Sequence, residues 1–551
     1  MRLPTPAGAD INQGFERERA RDMQRDFGQP GRSALMAGEA AIATSHPLAS
    51  AAGLEVLMDG GNAVDAALAA VAVQCVVEAH MTGIGGDCFV LYAPAGQDAL
   101  ALNGSGRAPR GASAEALAAQ GLAAIPQRSP HAVTVPGAIS AWCRLHGEHG
   151  SLPLDRLFAR AILYAEEGYP VAPRVAWDWA EDAGFLAGDA GCRAVFLPGG
   201  RIPDVGDRHA QPLLGARLRD IAAHGAAAFY EGAVAESLVR LLKAQGGLHT
   251  LDDFAAGREV ANWVDPIRLD YHGTEVVECP PNGQGLAALM ILGLLSGHDL
   301  AAEMPEADRI HLHAEATRIA YHHRDALICD PDHLPHDPRT LLSEEVLGTL
   351  RRRIDPKRAG RPALWTEPEH RDTIYLCVVD RDGNAVSFIN SIFDSFGSGL
   401  LDPETGVLLH SRGRSFRVEP GHPNAIGPGK RPMHTIIPGL LRRGGRTAGV
   451  FGVMGGHYQA AGQAQFVSSI VDRGLDPQAA LDLPRSFAFD GELQLEPRIG
   501  QAVAADLAGR GHKVAIRDEP LGGGQAILID HDRGVLIAGS DPRKDGCALG
   551  I

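Results

Sequence analysis

The sequence predicts a layered α/β protein, and three observations carry that expectation. The chain has 551 residues, 45% hydrophobic and 21% charged, which lies in the globular range and allows a large core. From about Ala40 onward, apolar runs alternate with small-residue stretches at helical spacing. The pattern then changes along the chain. Helices dominate the first two-thirds and β-rich runs the last third, with no low-complexity linker or repeat between them, so the two should share one core. Length at ~150 residues per domain allows three or four domains or one large α/β unit.

The elements follow in order. Residues 1–35 are polar and charged and read as an arm. His46–His80 reads as two helices, the first stopped by Gly60-Gly61 and the second opened by Asn62. The second is rich in Ala and Val nearly all round, so it should lie buried between layers. CFVLYAP and ALALNGS read as strands joined by a turn, and residues 137–330 as mostly helical. DTIYLCVVDRDGNAVSFINSIF places two β-rich runs around Arg381-Asp382-Gly383-Asn384, a hairpin signal. Strand-like runs recur at HTIIPGLLRR, TAGVFGVMGG and QAILIDHDRGVLIAGS, with a helix from about Gln459 to Asp472.

Charge and composition exclude several classes of function. Lys and Arg number 51 against 67 Asp and Glu, a net −16, so a phosphate backbone is repelled and no nucleic-acid partner is expected. No window offers 18 uncharged apolar residues and the N-terminus holds no signal-like apolar run, so no membrane partner is expected. Eight scattered cysteines without a CxxC pair fit reduced thiols, and the expected compartment is the cytoplasm.

Three constellations invite chemistry. The tract RIHLHAEATRIAYHHRDALICDPDHLPH could suggest a metal site. Its Ala, Glu and Arg spacing reads as a helix, on which His311 and His313 point about 200° apart and cannot grip one metal together. It is expected to be a surface helix with structural His and a capping Asp, and neither metal nor cofactor is expected. The glycine loops at Gly83–Gly86, Asn103–Gly106, Pro281–Gly285, Gly427–Arg431 and Met454–His457 lack nucleotide-binding spacing. They read as turns or close backbone approaches, although a Gly-Gly pair between strand and helix can expose N–H groups as an oxyanion hole. Thr373 starts a strand after the charged loop WTEPEHRD.

The segment TIYLCVVDRDGNAVSFINSIFDSFG resembles the nucleophile region of the γ-glutamyltransferase family. GLEVLMDGGNAVDAALA, GIGGDCF, VTVPGA, PPNGQG, RDALICDPD, GPGKRP and MGG follow in that family's order, over about residues 40–550. The resemblance implies an N-terminal nucleophile (Ntn) hydrolase with a four-layer αββα sandwich, formed jointly by two chains after self-cleavage. The cut implied lies between Asp372 and Thr373, leaving a large helix-rich subunit, 36–372 behind its arm, and a small strand-rich subunit, 373–551. Thr373 would be the nucleophile and its freed α-amine the general base. Gly455 and Gly456 match the oxyanion donors, and Ser391 a supporting hydroxyl.

The glutamate-recognition end departs from the family pattern. Ser105 stands where an Arg is expected, with Arg107 two residues on. Phe393 replaces an Asn, Arg412-Gly413-Arg414-Ser415 replaces a stretch whose key Asp becomes Ser415, and His434-Thr435 replaces a Ser pair. Arg107, Arg412, Arg414, Ser415, His434 and Thr435 are therefore the expected substrate-binding set. An ammonium group is unwelcome beside Arg412 and Arg414, and a carboxylate is welcome. The expected activity is amide cleavage through an acyl-enzyme, with water or an amine as acceptor and a small-molecule amide as substrate. Glutathione hydrolysis is the plain family activity. Glutaryl amides and oxamate, which family relatives also hydrolyse, suit the altered end better. The rival of another class is an inactive binding or structural homologue.

Overall fold

A computed structural model describes residues 31–361 and 373–551. Two seven-stranded antiparallel sheets stack face to face. One runs, in spatial order, Leu35–Ala37, Val535–Ser540, Gly523–Asp530, Arg446–Met454, Gly439–Arg443, Thr274–Glu278 and Ile267–Tyr271. The other runs Cys547–Gly550, Ala41–Thr44, Ile374–Val379, Ala385–Ser391, Asp87–Ala93, Leu100–Gly104 and Asn262–Val264. Helices Gly285–Leu295 and Tyr458–Val471 cover the outer face of the first sheet, and Pro47–Met58, Ala63–Val77 and Ala138–His149 that of the second. The layer order is αββα.

Local chemistry explains the central elements. Asn62 caps the helix Ala63–Val77 in a capping box with Asp65, and all of that helix is buried, as its all-round apolar surface requires. Ile374–Val379 and Ala385–Ser391 are buried at every position, because sheet covers one face and helix the other. Three strands of the first sheet and four of the second precede Thr373 in the chain. The halves on either side of Thr373 therefore build one core.

Two expectations need correction and a third needs an addition. The stretch 137–330 is mostly helical, as expected, but not only helical. It contains the hairpin Ile267–Tyr271/Thr274–Glu278, turned by His272 (φ 51°) and Gly273 (φ 80°). Two positive-φ residues at the turn match strand twist, but His-Gly is a weak sequence signal for it. In HTIIPGLLRR only Gly439–Arg443 joins the sheet. His434 instead pairs with the PPNGQG loop, its N–H donating to the Asn282 carbonyl at 2.7 Å and its carbonyl accepting from Gln284 N at 2.9 Å. The histidine tract is indeed a helix, Glu306–Leu327, but not a surface one. It lies between Gly285–Leu295 and the small sheet that begins at Ser486, so His311 and His313 are both buried.

Burial keeps several histidines neutral. It pulls His46, His313 and His434 down to about 3, and His209 and His249 to about 4. Unfolded, each would titrate near 6.5. The unfolded chain therefore binds more protons between those values, and stability falls as pH drops from about 6.5 towards 4. Each such histidine steepens that slope by up to ~1.4 kcal/mol per pH unit. Urea midpoints measured across pH 4–8 should hold level above 7 and drop steeply below 6.

Candidate active site

The hairpin register places the candidate nucleophile. Ile374 pairs with Asn390 across the two central strands, so Thr373 stands opposite Ser391. Thr373 is fully buried, and its Oγ1 donates to Ser391 Oγ at 3.2 Å. Ser391 Oγ is itself held by the Phe393 N–H at 2.9 Å. Gln459 Nε2 reaches Thr373 Oγ1 at 3.4 Å from the first turn of the helix Tyr458–Val471. The GIGG loop presses on the same strand end: a Cβ on Gly86 would stand 2.3 Å from the Ser391 carbonyl oxygen.

The strand Arg446–Met454 ends in Gly455-Gly456, which turns the chain into the helix carrying Gln459. Both glycines have positive φ, 119° and 59°, where an L side chain is strained. Among the described residues, neither N–H is taken up by another group. Gln284 of PPNGQG fixes the turn. Its Nε2 donates to the Gly456 carbonyl at 3.1 Å and the Thr435 carbonyl at 2.7 Å, and its Oε1 accepts from Arg324 at 2.7 Å. Two unpaired N–H groups on a held turn beside a hydroxyl can stabilise an oxyanion.

Arg412 is the second feature of the site. It is fully buried, its guanidinium lies 4.2 Å over the Phe393 ring, and Nη1 donates to Thr435 Oγ1 at 3.0 Å. Its Nε and Nη2 have no hydrogen-bond partner. Burial pulls its pKa down to about 9 against the pull of Asp87 and Asp394, so it stays charged at neutral pH. Phe393 links the two features, since its backbone holds Ser391 and its ring carries Arg412.

The other expected binding residues fare differently. Arg414 pairs with Asp394, whose second oxygen accepts from Ser411 Oγ at 2.6 Å. Arg107 is part-exposed and donates to Asp330 at 3.2 Å and to the Gly429 carbonyl at 2.8 Å. Both guanidiniums are thus already engaged. Ser415 shares the short turn of Arg412, and its buried hydroxyl has no partner. His434 donates from Nε2 to Asp87 at 3.0 Å. Burial pushes the Asp87 carboxyl up, but His410, His434 and Arg412 outweigh it and hold it at about 2. Asp372 lies outside the described residues.

A strand-borne hydroxyl with a glycine turn beside it is shared by many hydrolases, and comparison with known proteins decides among them. The sequence model of the gamma-glutamyltranspeptidase family matches residues 49–551. The chain belongs to the gamma-glutamyltranspeptidase family. Within it, the chain is 37% identical to the oxamate amidohydrolase proenzyme of Klebsiella pneumoniae, over 92% of this chain and 97% of that protein. It is 35% identical to the glutathione hydrolase-like YwrD proenzyme of Bacillus subtilis, over 93% and 98%. The structure superposes on the cephalosporin acylase of Bacillus halodurans with a TM-score of 0.90 at 39% identity, covering 96% of this chain and 99% of that one. The fold is thus that of an Ntn hydrolase, and this member of the gamma-glutamyltranspeptidase family is an amidohydrolase.

Sequence reasoning missed Gln459, Asp87, His410 and Asp394. Asp87 sat in a recognised motif, GIGGDCF, without a role. Gln459 had no signal, since only the fold brings the start of its helix to Thr373. Gln284→Leu removes the donor to the Gly456 and Thr435 carbonyls while substituting a side chain of similar size. It should lower kcat at least several-fold and by at most the ~100- to 1,000-fold that losing an oxyanion donor outright costs, with KM changed much less. Steady-state kinetics on one amide substrate checks this.

Proposed function

We propose that the chain cuts itself before Thr373 and then cleaves amides whose acyl part carries a free carboxylate and no α-ammonium. The observation that carries the substrate reading is Arg412: a buried guanidinium, charged, with Nε and Nη2 left without a partner, stacked on Phe393, whose backbone holds the Ser391 hydroxyl. A planar carboxylate can take both N–H groups at once. The acids nearby are already spent, Asp394 on Arg414 and Ser411, and Asp87 on His434 and backbone N–H groups. Among the described residues, a substrate ammonium would find no unspent carboxylate there. The likeness to an oxamate amidohydrolase supports this reading, because oxamate is an amide bearing an adjacent carboxylate. Glutaryl amides share that chemistry with a longer spacer.

In the uncut chain the Thr373 nitrogen is an amide and cannot act as a base. Cleavage turns it into an α-amine with a reference pKa of ~7.7–8.0, suited to accept a proton near neutral pH. Thr373 Oγ then attacks the substrate carbonyl carbon and passes its proton to that amine. The oxyanion settles on the Gly455 and Gly456 N–H groups, and Ser391 and Gln459 keep Oγ aligned. The amine returns the proton to the leaving nitrogen, which departs and leaves an ester on Thr373. Water, or an acceptor amine, gives its proton to the same base and releases the acyl group. The eight cysteines are all free thiols, which favours a reducing cytoplasm as the compartment.

Two outcomes test the reading. Purified wild type should run as two bands, the smaller beginning Thr-Ile-Tyr-Leu by N-terminal sequencing, and Thr373→Ala should stay whole and inactive. A single full-length band from active enzyme overturns self-cleavage.

For the substrate, hydrogen bonds to charged groups are worth ~1.5–3 kcal/mol. A carboxylate substrate should therefore exceed its neutral ester roughly 10- to 100-fold in kcat/KM. A glutaryl amide should also exceed the matching γ-glutamyl amide. Arg412→Ala should erase the first preference while Arg107→Ala leaves it. If γ-glutamyl amides are clearly best and Arg412→Ala keeps wild-type selectivity, the plain glutathione hydrolase reading stands.

A further inference from the structure

Away from Thr373, the long helix Glu306–Leu327 meets a residue that sequence spacing could not bring to it. His311 and Glu315 lie one turn apart on one face, and His512 comes from the loop before the strand Val514–Ile516. One donor atom from each lies within 4.8 Å of the others. His311 diverges from His313, as helical geometry requires, but it does not need His313.

We propose that His311, Glu315 and His512 form a binding site for a zinc-class divalent transition metal. Three observations support it independently of the catalytic reading. The His311 ring is pre-set: its Nε2 donates to the Asp355 carbonyl at 2.7 Å, which leaves Nδ1 as a lone pair facing His512 Nε2 at 2.8 Å. A histidine ligand typically donates its far N–H to a carbonyl in this way. Glu315 is buried to 1% exposure, and its Oε1 has no hydrogen-bond partner although Oε2 is held by Arg318 and by Gly360 N at 3.1 Å. Such an orphan oxygen is costly to bury. His512 is only part-buried and lines a surface cavity with Gly360 and Lys513, which gives an ion a way in.

The geometry suits zinc. Tetrahedral zinc with bonds near 2.0–2.2 Å holds its donors roughly 3.3 Å apart. The two imidazole nitrogens need to part by a few tenths of an ångström, and neutral His512 shifts its proton from Nε2 to Nδ1 through solvent. Water supplies the fourth position. Two imidazoles and one carboxylate favour zinc, cobalt or nickel over magnesium or calcium, which prefer all-oxygen shells. Two cations stand close, but Arg318 is bound to Glu315 and the Arg361 carbonyl, and Arg510 to Asp308 and Asp506. They temper the affinity without filling the site. His311 and Glu315 precede Thr373 in the chain and His512 follows it, so a bound ion staples together the two halves of the molecule.

The test uses the full-length protein, stripped with chelator, reloaded with zinc chloride and desalted. Elemental analysis should find one zinc per chain in wild type and in the His322→Ala/His323→Ala control, which alters the tract's other histidine pair. His512→Ala and Glu315→Gln should bind roughly 10-fold or more weakly. Zinc should raise the thermal midpoint of wild type and not of His512→Ala. Cobalt-loaded wild type should show visible d–d absorption that one equivalent of zinc abolishes, which reads the site without any substitution. Less than one equivalent in wild type, no cobalt band, or equal binding by His512→Ala overturns the proposal.

Discussion

Asp87 is the buried charge on which the active-site architecture depends. Its carboxylate is fully enclosed, and a charge in that position costs several kcal/mol unless every lone pair is met. One oxygen accepts from Gly106 N at 2.9 Å and Gly137 N at 3.0 Å, and the other from His434 Nε2 at 3.0 Å. Those donors come from three loops far apart in sequence. The strand starting at Asp87 also pairs with the strand Ala385–Ser391 and so fixes the end that faces Thr373. Satisfying one carboxylate thus brings the motifs GIGGDCF, NGSG, VTVPGA and the His434 segment to one place.

Two side-chain amides extend that junction. Asn282 joins Asn103, Ser105 and the Pro432 carbonyl, and Gln284 joins the Thr435 and Gly456 carbonyls. Amides suit this work because each offers two donors and an acceptor without a charge to desolvate. Arg431 of GPGKRP is drawn into the same network through Asn103, and its own backbone N–H meets Asp330 of RDALICDPD. The motifs that identify the family are therefore mostly buried polar junctions, and only a few of their residues approach the Thr373 hydroxyl.

Against that background Arg412 stands out. Among the described residues around it, the acids Asp87 and Asp394 are paired, while its own Nε and Nη2 have no partner. A buried guanidinium with unmet donors is a cost to folding that a carboxylate ligand would offset. Binding sites are where such local conflicts concentrate.

By itself the sequence determined the elements and singled out Thr373 as the candidate nucleophile. The Gly60-Gly61 stop, the Asn62 cap, the hairpin around Arg381–Asn384 and the strand-to-helix turn at Gly455-Gly456 are local matters of backbone preference, and each lies where the residues place it. Tertiary structure decided whatever depends on partners distant in the chain. Arg412, Arg414 and Arg107 look equivalent in sequence, yet Asp394 takes the second, Asp330 the third, and the first is left open. Likewise His311 and His313 seemed a failed pair until His512, 201 residues away, arrived beside one of them. Side-chain type and short-range periodicity are written in the sequence. Which charges are spent and which remain free depends on long-range burial, and only the packed sheets settle that.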